Sequence, residues 1–351
     1  MNRIGILGAG SGGLALGSYL SDKNHKVSIW NRNKNRIDQI TKNNGNVLVH
    51  DHCSNKKSYK RIGNFELDLK KIVERSKYIF IVMPAIAYKE MAQRMASYIT
   101  DEHIIILMPG RTFGTVEFMD EIKKIKDVNP TCIETQTIIH TCRFDHEILN
   151  IYATKPKVQY TSLRPLSEGI IREINELCSN FVYEKDYLAI TLHNIGAMLH
   201  PIPAVLNITQ IENSRKYKHY IEGITPVVAN YIEKIDLERK EIYMYLGKNF
   251  FSVCDWLSLE YGSVGNTLYE KIQNTKAYDD IYGANSLKHR YIYDDLITGL
   301  VPIYWFGKSL GLKLYNLESF ITFACNLLNY DFYKNGRNYT IHNMKAFSIF
   351  L

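Results

Sequence analysis

The chain has 351 residues with 46% hydrophobic and 23% charged side chains, an ordinary globular composition with room for about two domains. Its formal charge is +7, but the lysines and arginines are spread along the chain without an arginine-rich tract, which argues against nucleic-acid binding. No apolar run reaches the ~18 residues of a membrane-spanning helix, and six scattered cysteines without a Cys-x-x-Cys pair indicate reduced thiols. We therefore expect a cytoplasmic protein that binds neither membrane nor nucleic acid, with a homodimer left open.

The N-terminal segment has the order strand, glycine-rich turn, helix, strand. Residues 4–7 and 26–30 are short apolar runs typical of buried strands. In the G-x-G-x-x-G turn between them, Gly8 permits a tight bend, Gly10 lets the backbone approach a pyrophosphate, and Gly13 lets the helix pack on the strand. The free N–H groups of the helix N-terminus suit phosphate. The residues predicted to bind a dinucleotide here are Gly8, Gly10, Ser11, Gly12 and Gly13.

The end of the second strand bears on the choice of cofactor. An NAD site usually carries Asp or Glu at this point to bind the ribose hydroxyls, but the sequence is Asn31-Arg32-Asn33. Arg32 can pair with a 2′-phosphate, so Asn31 and Arg32 are assigned to the cofactor site and NADP is favoured over NAD. The alternative is that Arg32 is only a solvated surface charge.

Further α/β units follow in the first half of the chain. Strands are predicted at 78–83, at 103–108 and within 132–143, with an amphipathic helix over 88–99. Ligands of open α/β sheets lie beyond the carboxyl ends of the strands. Pro84 and Ala85 are therefore predicted to lie near the cofactor, and residues 109–112 are a candidate for the nicotinamide side.

Residues 50–53 read His-Asp-His-Cys and have the chemistry of metal ligands. Alternation along a strand places His50 and His52 on one face, but no partner cluster is obvious in the sequence. A polar hairpin over residues 44–55 is the simpler interpretation, and no metal site is predicted.

The pattern changes near residue 185, where strand-like runs give way to helical periodicity. We predict a Rossmann-type, doubly wound α/β domain over residues 1–185 and an all-helical domain over residues 186–351. Long helices are expected at 220–246 and 317–328, and residues 217–247 are interpreted as two helical segments that serve as scaffold.

Two segments of the helical half carry residues suited to chemistry. Pro201 biases His200 away from helical geometry, so His200 is expected at a helix break, where an imidazole can transfer protons. A buried structural histidine is the alternative. Arg290 offers a planar fork for a carboxylate, although Asp294 is four residues away and a surface ion pair between them is equally consistent with the spacing.

Taken in order, these segments resemble the octopine/nopaline dehydrogenase family over nearly the whole chain. The resemblance is carried by the glycine-rich turn and by Glu134-Thr135-Gln136 … Cys142-Arg143, Asn194 … His200-Pro201 … Asn207, Tyr220-x-Glu222-Gly223-Ile224-Thr225-Pro226, and His289-Arg290-Tyr291 … Asp294-Asp295 … Gly299-Leu300-Val301-Pro302. The turn is shared by many dehydrogenases, whereas the later segments are specific in both sequence and order.

The resemblance implies an oxidoreductase that condenses an amino acid or another amine with a 2-keto acid, such as pyruvate, using NADPH or NADH. It implies a catalytic pair that falls on His200 and Asp295, with Asp294 as an alternative partner. Arg290 is implied to bind a substrate carboxylate, and the residues implied to lie near the substrate are Gln136, Cys142 and Asn194. The competing interpretations are a dehydrogenase of a hydroxy or sugar acid that uses no amine, and a nucleotide-binding protein without catalysis.

Overall fold

The computed structural model describes residues 2–42 and 45–346, and the chain divides into two compact units. Unit 1 is Met1–Thr191 and unit 2 is Leu192–Leu351. The division falls between Thr191 and Leu192, whereas the sequence places it near residue 185. The predicted fold class, an α/β sheet domain followed by a helical domain, is confirmed.

All twelve strands described belong to unit 1. They are β1 (Arg3–Leu7), β2 (Lys26–Trp30), β3 (Asn46–Asp51), β4 (Lys56–Arg61), β5 (Asn64–Glu66), β6 (Tyr78–Ile81), β7 (Ile104–Leu107), β8 (Thr131–Thr135), β9 (His140–Asp145), β10 (Ile148–Thr154), β11 (Val158–Ser162) and β12 (Phe181–Tyr183). The helices of unit 1 are α1 (Ser11–Asp22), α2 (Lys34–Thr41), α3 (Leu69–Arg75), α4 (Tyr88–Met95), α5 (Gly114–Lys123), α6 (Glu168–Leu177) and α7 (Tyr187–Thr191).

Eight of these strands form one sheet in the order β12-β11-β8-β7-β6-β1-β2-β5. All neighbouring pairs are parallel except β8 and β11, which are antiparallel. The central strands β6 and β7 are buried at every position, as expected of a parallel sheet covered on both faces. The order reverses at β1, so the turn after β1 opens at the switch point where such sheets bind ligands.

A smaller sheet of order β4-β3-β10-β9 packs on helix α1. The sequence predicts a strand within residues 132–143, whereas the structure has parts of two strands there, β8 in the larger sheet and β9 in the smaller one. The polar hairpin is present as β3 and β4, and Asn44 at its predicted start lies outside the described residues. His50 and His52 do share a face, with ring centroids 3.8 Å apart, but over residues 2–42 and 45–346 no group of three or more metal-ligating side chains occurs.

The regular elements described in unit 2 are helices, joined by irregular segments and one isolated β-bridge between Lys218 and Tyr282. Its helices are α8 (Ile195–Leu199), α9 (Pro201–Leu206), α10 (Ile208–Glu212), α11 (Pro226–Tyr245), α12 (Val253–Tyr261), α13 (Leu268–Gln273), α14 (Arg290–Asp295), α15 (Val301–Ser309), α16 (Tyr315–Leu328), α17 (Phe332–Asn335) and α18 (Ile341–Ala346). Residues Leu296–Leu300 form a π-helical turn between α14 and α15. The expectation of two helices over 217–247 is wrong, because α11 begins only at Pro226, where Thr225 caps it, and runs unbroken to Tyr245.

One stretch, Tyr187–Leu206, is long and apolar enough to cross a membrane by length and composition alone. It consists of the consecutive helices α7, α8 and α9, and 83% of it is buried inside the fold. Such burial is what a core segment of a globular protein shows. The feature is therefore weak support for a membrane span.

A buried ion pair anchors α11 in unit 2. Arg239 is 1% exposed, and its guanidinium contacts the carboxylate of Asp236 at 2.6 Å. Arg239 also donates to the carbonyl oxygen of Phe251 at 2.8 Å, and Asp236 accepts from the backbone N–H of Val253 at 2.8 Å. The pair thus holds the segment before α12 against α11.

Replacing Asp236 by Ala should lower the free energy of unfolding by about 3 to 5 kcal/mol, because it leaves the buried Arg239 charge without its partner. Urea unfolding followed by circular dichroism measures the change. Asp280→Ala is the control, since Asp280 forms an exposed ion pair with Lys218 and its loss should leave the unfolding midpoint nearly unchanged. Equal midpoints for both variants would contradict the assignment.

Candidate active site

The glycine-rich turn lies at the carboxyl end of β1 in unit 1. Gly8 has φ +123°, and a Cβ atom there would overlap the carbonyl oxygen of Val82. A Cβ atom on Gly13 would overlap the carbonyl oxygen of Gly8, whereas one on Gly10 would meet no heavy atom within 4 Å. The turn is tightly closed at Gly8 and Gly13 and open at Gly10, which is the shape that a bound pyrophosphate requires.

Helix α1 starts within this motif, at Ser11, with Gly10 in extended conformation as its N-cap residue. The Oγ atom of Ser11 accepts from the backbone N–H of Phe144 at 2.9 Å. Arg36 donates from Nε to the carbonyl oxygen of Ala9 at 3.1 Å, and its guanidinium lies 4.5 Å from the centroid of the Phe144 ring. The backbone N–H groups at the start of α1 and the Arg36 guanidinium therefore both border the turn. Both would stabilise an anionic ligand there.

Arg36 was missed by the sequence analysis. The one signal for it is indirect: Asn33 caps α2 by accepting from the backbone N–H of Arg36, and this places Arg36 in the first turn of a helix that starts beside the cofactor turn. Asn31 Oδ1 accepts from the backbone N–H of Asn33 at 2.8 Å and shapes the bend before that helix.

Arg32 lies at the end of β2 as predicted, and its side chain is 72% exposed. Its guanidinium is 3.8 Å from the carboxylate of Glu90, which is also exposed. Such a pair contributes little to stability and is easily exchanged for another anion. Both interpretations of Arg32, a 2′-phosphate ligand and a surface charge, are compatible with this position.

Pro84 and Ala85 follow β6, which pairs directly with β1. Pro84 is exposed and precedes the short 3-10 turn Ala85–Ala87, whose last N–H donates to the Pro84 carbonyl oxygen at 3.0 Å. Because neighbouring parallel strands end at the same edge of a sheet, both residues lie on the edge that carries the glycine-rich turn.

The loop after β7 holds two residues in the left-handed backbone region. Arg111 has φ 60° and Phe113 has φ 59°, a conformation that costs energy for residues other than glycine. Thr191 fixes both: its Oγ1 accepts from the N–H of Phe113 at 2.6 Å and donates to the carbonyl oxygen of Arg111 at 3.3 Å. The loop is held in a defined shape at the edge of the sheet where ligands bind.

A buried carboxylate supports the same loop from β8. Glu134 accepts at Oε2 from the backbone N–H and the hydroxyl of Thr115, at 3.0 and 2.7 Å, and from the hydroxyl of Tyr187 at 3.3 Å. These bonds fix the first turn of α5. In the sequence, Glu134 is recognisable only as part of a family motif, since a single acid in an apolar strand carries no local signal of its partners.

Gln136 and Cys142, both implied to lie near the substrate, belong to different segments of unit 1: Gln136 to the loop after β8 and Cys142 to a strand of the smaller sheet. Gln136 follows β8, and its backbone N–H donates to the carbonyl oxygen of Gln159 at 2.9 Å. Cys142 lies in β9, opposite Ile151 of β10. Burial raises the pKa of the Cys142 thiol to about 11, so it stays protonated near neutral pH and is a poor nucleophile.

In unit 2, His200 lies at the break predicted from Pro201. Helix α8 ends at Leu199 and α9 begins at Pro201, leaving His200 between them with φ −103° and ψ −61°. Its Nδ1 donates to Oδ2 of Asp295 at 2.9 Å. Asp295 is completely buried, and it is this carboxylate that is hydrogen-bonded to the imidazole, while the Asp294 backbone carbonyl accepts from the Thr298 hydroxyl.

Aromatic side chains surround the His200 ring. Tyr291 stacks on it with ring centroids 4.2 Å apart and planes 17° apart. The hydroxyl of Tyr220 lies 3.2 Å from His200 Nε2. His219 packs its edge toward the same ring at 6.2 Å, and its Nε2 donates to the carbonyl oxygen of Leu199 at 3.0 Å.

His219 is the more deeply buried of the two neighbouring histidines. Burial, followed by the nearby His200, lowers its pKa to about 3, so it remains neutral over the physiological range. A neutral ring avoids placing a second positive charge beside His200. Tyr220, Tyr291 and His219 were all missed as site residues, because in a chain with 25 tyrosines a buried aromatic is indistinguishable from core by sequence.

Arg290 and Asn194 take different positions around this group. Arg290 is the first residue of α14, is exposed, and lies over the Tyr291 ring at 5.4 Å. The Arg290 guanidinium thus lies against the Tyr291 ring, which in turn stacks on the His200 imidazole. Asn194 is buried and caps α8 by accepting from the backbone N–H of Ala197 at 3.3 Å, so it fixes the helix that ends at His200.

Comparison with known proteins agrees with this arrangement. Residues 183–328 match the family described as NAD/NADP octopine/nopaline dehydrogenase, alpha-helical domain, and residues 3–138 match the N-terminus of NAD-dependent glycerol-3-phosphate dehydrogenase. An opine dehydrogenase of Arthrobacter sp. (strain 1C) is 31% identical over 334 residues, covering 95% of this chain and 92% of that protein. Protein ocs of Agrobacterium tumefaciens (strain Ach5) is 22% identical, covering 99% and 96%.

Solved structures share the fold at lower identity. Octopine dehydrogenase with NADH and L-arginine has a TM-score of 0.78 and 16% identity, covering 94% of this chain and 90% of that one. Yersinopine dehydrogenase with NADP+ bound has a TM-score of 0.76 and 14% identity, covering 98% and 95%.

Two alanine variants separate the roles of the turn glycines. Gly13→Ala should lower the free energy of unfolding by about 3 kcal/mol, since its Cβ atom meets backbone that cannot move aside. Gly10→Ala should leave stability nearly unchanged, because the space is open, but should weaken NADPH binding by about tenfold or more by filling the space proposed for phosphate. Urea unfolding and a fluorescence titration with NADPH measure the two effects. A Gly10→Ala variant that binds NADPH like the wild type would refute the assignment.

Proposed function

The chain belongs to the octopine/nopaline dehydrogenase family, and we propose that it joins the amino group of an amino acid or another amine to a 2-keto acid by reductive condensation. It is an NAD(P)-dependent oxidoreductase acting on CH–NH groups. The observation that carries the assignment is the hydrogen bond between His200 and the buried Asp295, beside the exposed guanidinium of Arg290. A base with a fixed orientation and a carboxylate-binding cation are what this reaction requires.

The dinucleotide fits the turn at Gly8–Gly13, because the Cβ space at Gly10 is open and the start of α1 faces it with free N–H groups. When bound, NADPH or NADH supplies the hydride that reduces the C=N bond. We propose that the glycines, Ser11 and Asn31 hold the pyrophosphate and ribose, with Pro84 and Ala85 beside the cofactor. Arg32 would bind the 2′-phosphate, which favours NADP over NAD.

His200 would act as the acid and base of the condensation. As base, its Nε2 accepts the proton that the amine loses on attacking the ketone and passes it to the carbinol oxygen, which becomes a hydroxyl. After Nε2 takes up a proton from solvent, the imidazolium acts as acid and gives that second proton to the hydroxyl, which leaves as water. Asp295, hydrogen-bonded to Nδ1, holds the imidazole in the tautomer with Nε2 unprotonated and stabilises the imidazolium that forms. Asp295 thus contributes electrostatically by stabilising the imidazolium. Arg290 would add a second electrostatic contribution by binding a substrate carboxylate through its planar fork.

Gln136, Cys142 and Asn194 are proposed to position the substrate or the catalytic histidine and not to react themselves. Gln136 and Cys142 would lie near the substrate, with the Cys142 thiol uncharged because burial raises its pKa to about 11. Asn194 would act by capping the helix before His200. All six cysteines are free thiols, which supports a reducing cytoplasmic environment.

The activity is tested by oxidation of NADPH and NADH across a grid of amino acids and 2-keto acids, with each substrate also supplied alone. Oxidation that requires both partners is the expected result. Oxidation with a ketone alone would replace the proposal by a hydroxy-acid dehydrogenase, and no oxidation across the grid would favour nucleotide binding without catalysis.

His200→Ala should lower kcat by about 100-fold or more while leaving NADPH binding unchanged, because it removes the proposed acid and base and none of the residues proposed to bind the dinucleotide. Steady-state kinetics and a nucleotide titration measure the two quantities. His342→Ala, a substitution of an exposed histidine in α18, is the matched control and should behave like the wild type. An unchanged kcat in His200→Ala would remove His200 from the mechanism.

Arg32→Ser should weaken NADPH binding by about tenfold and leave NADH binding unchanged, because only NADPH carries the 2′-phosphate that the guanidinium would bind. Arg172→Ser removes the same charge from an exposed position on α6 and controls for net charge. If both nucleotides bind Arg32→Ser as they bind the wild type, Arg32 is a surface charge only.

A further inference from the structure

The hydrogen bonds of His200 use both of its ring nitrogens. Nδ1 is held by the Asp295 carboxylate at 2.9 Å, and Nε2 lies 3.2 Å from the hydroxyl oxygen of Tyr220. Because Nδ1 donates to a carboxylate, Nε2 in the neutral ring is a bare acceptor and the Tyr220 hydroxyl must be the donor. Nε2 is also the nitrogen through which the proposed proton transfer runs, so its existing partner matters for the reaction.

Tyr220 cannot easily move away from this position. It is 5% exposed, and its ring stacks on Tyr278 with centroids 3.8 Å apart and planes 12° apart. The His219 ring meets its face at right angles, 4.8 Å away, and His219 is itself tied to the Leu199 carbonyl oxygen. The hydroxyl is therefore presented to Nε2 by a ring clamped on two sides, and the contact is a property of the packing.

The protonation state of Tyr220 is also determined by its surroundings. Burial raises the pKa of the phenol well above its ordinary value, so the hydroxyl keeps its proton at any pH at which the enzyme would work. A neutral phenol donates to Nε2 when that nitrogen is unprotonated. When the amine delivers its proton, the Tyr220 hydroxyl must first rotate its own hydrogen away from the single lone pair of Nε2. The same oxygen then accepts from the new Nε2–H, and a hydrogen bond to the charged ring is stronger than one to the neutral ring.

We propose that Tyr220 is a positioning residue for the acid–base step: its hydroxyl holds the His200 ring in one orientation and supports Nε2 in both of its protonation states. Asp295, His200 and Tyr220 then form one chain in which the carboxylate selects the tautomer and the phenol sets the direction of Nε2. The inference rests on the proposed function, because it assigns a purpose to a contact of the proposed acid and base.

Tyr220→Phe removes the hydroxyl and retains the ring that stacks on Tyr278. We expect kcat to fall by about 10- to 100-fold, the usual effect of removing a group that orients an active residue. KM for the amine and keto acid and the affinity for NADPH should stay within about twofold, since nothing that binds them is removed. Tyr231→Phe is the matched control: its hydroxyl donates to the Asn316 carbonyl oxygen at 3.0 Å, and its loss should not change kcat.

A spectroscopic measurement separates this role from a loss of folding. In protein labelled with 15N at histidine, the imidazole signals of His200 are identified by their absence in His200→Gln. Tyr220→Phe should move the Nε2 signal, since its hydrogen-bond donor is gone, and should leave the Nδ1 signal nearly in place because Asp295 remains. Tyr231→Phe should move neither.

The outcomes distinguish the two proposals. A wild-type chain that shows no oxidation dependent on both substrates would overturn the proposed function, while the Nε2 signal would still report on the contact with Tyr220. An active wild type with kcat of Tyr220→Phe within twofold of it would overturn the positioning role alone. An Nε2 signal that is unchanged by Tyr220→Phe would overturn it as well.

Discussion

The proposed active site of unit 2 depends on one hydrogen bond, between the His200 imidazole and the buried Asp295 carboxylate. Asp295 has no exposed surface, and a carboxylate removed from water is costly unless a partner compensates it. His200 supplies that partner only because Pro201 ends α8 and starts α9 around it, and the π-helical turn that begins at Leu296 follows Asp295 directly. The helix break at His200 and the π-helical turn after Asp295 thus flank the same hydrogen bond. Irregular helical turns of this kind are frequent at functional sites.

A different constraint shapes unit 1. The shape of its glycine-rich turn depends on the absence of side chains. A Cβ atom has no room at Gly8 or Gly13, and the space beside Gly10 is not filled by the chain. The loop after β7 is held instead by polar contacts, with Thr191 fixing two left-handed residues and the buried Glu134 fixing the helix that follows. Close backbone packing and a buried, hydrogen-bonded carboxylate give this edge of the sheet a defined shape without a regular element.

Much of this could be predicted from the sequence where the determining interactions are local. The strand–turn–helix of the cofactor site follows from six consecutive residues, and the break at His200 follows from the next residue in the chain. The smaller sheet could not be predicted in the same way, because β10 pairs with β3, far earlier in the sequence. The choice between Asp294 and Asp295 required the geometry of the helix end, and Tyr220 and Arg36 required knowledge of which side chains meet, which periodicity does not contain.

The apolar stretch Tyr187–Leu206 has a consequence for the synthesis of the protein. It leaves the ribosome before α11 and α14, the helices against which α8 and α9 pack, have been made. During that interval α7 can already pack against β11, but α8 and α9 lack the helices that cover them, and exposed apolar surface of this kind promotes aggregation. Residues that form the interior of the finished enzyme therefore expose apolar surface on the nascent chain until α11 and α14 have been made.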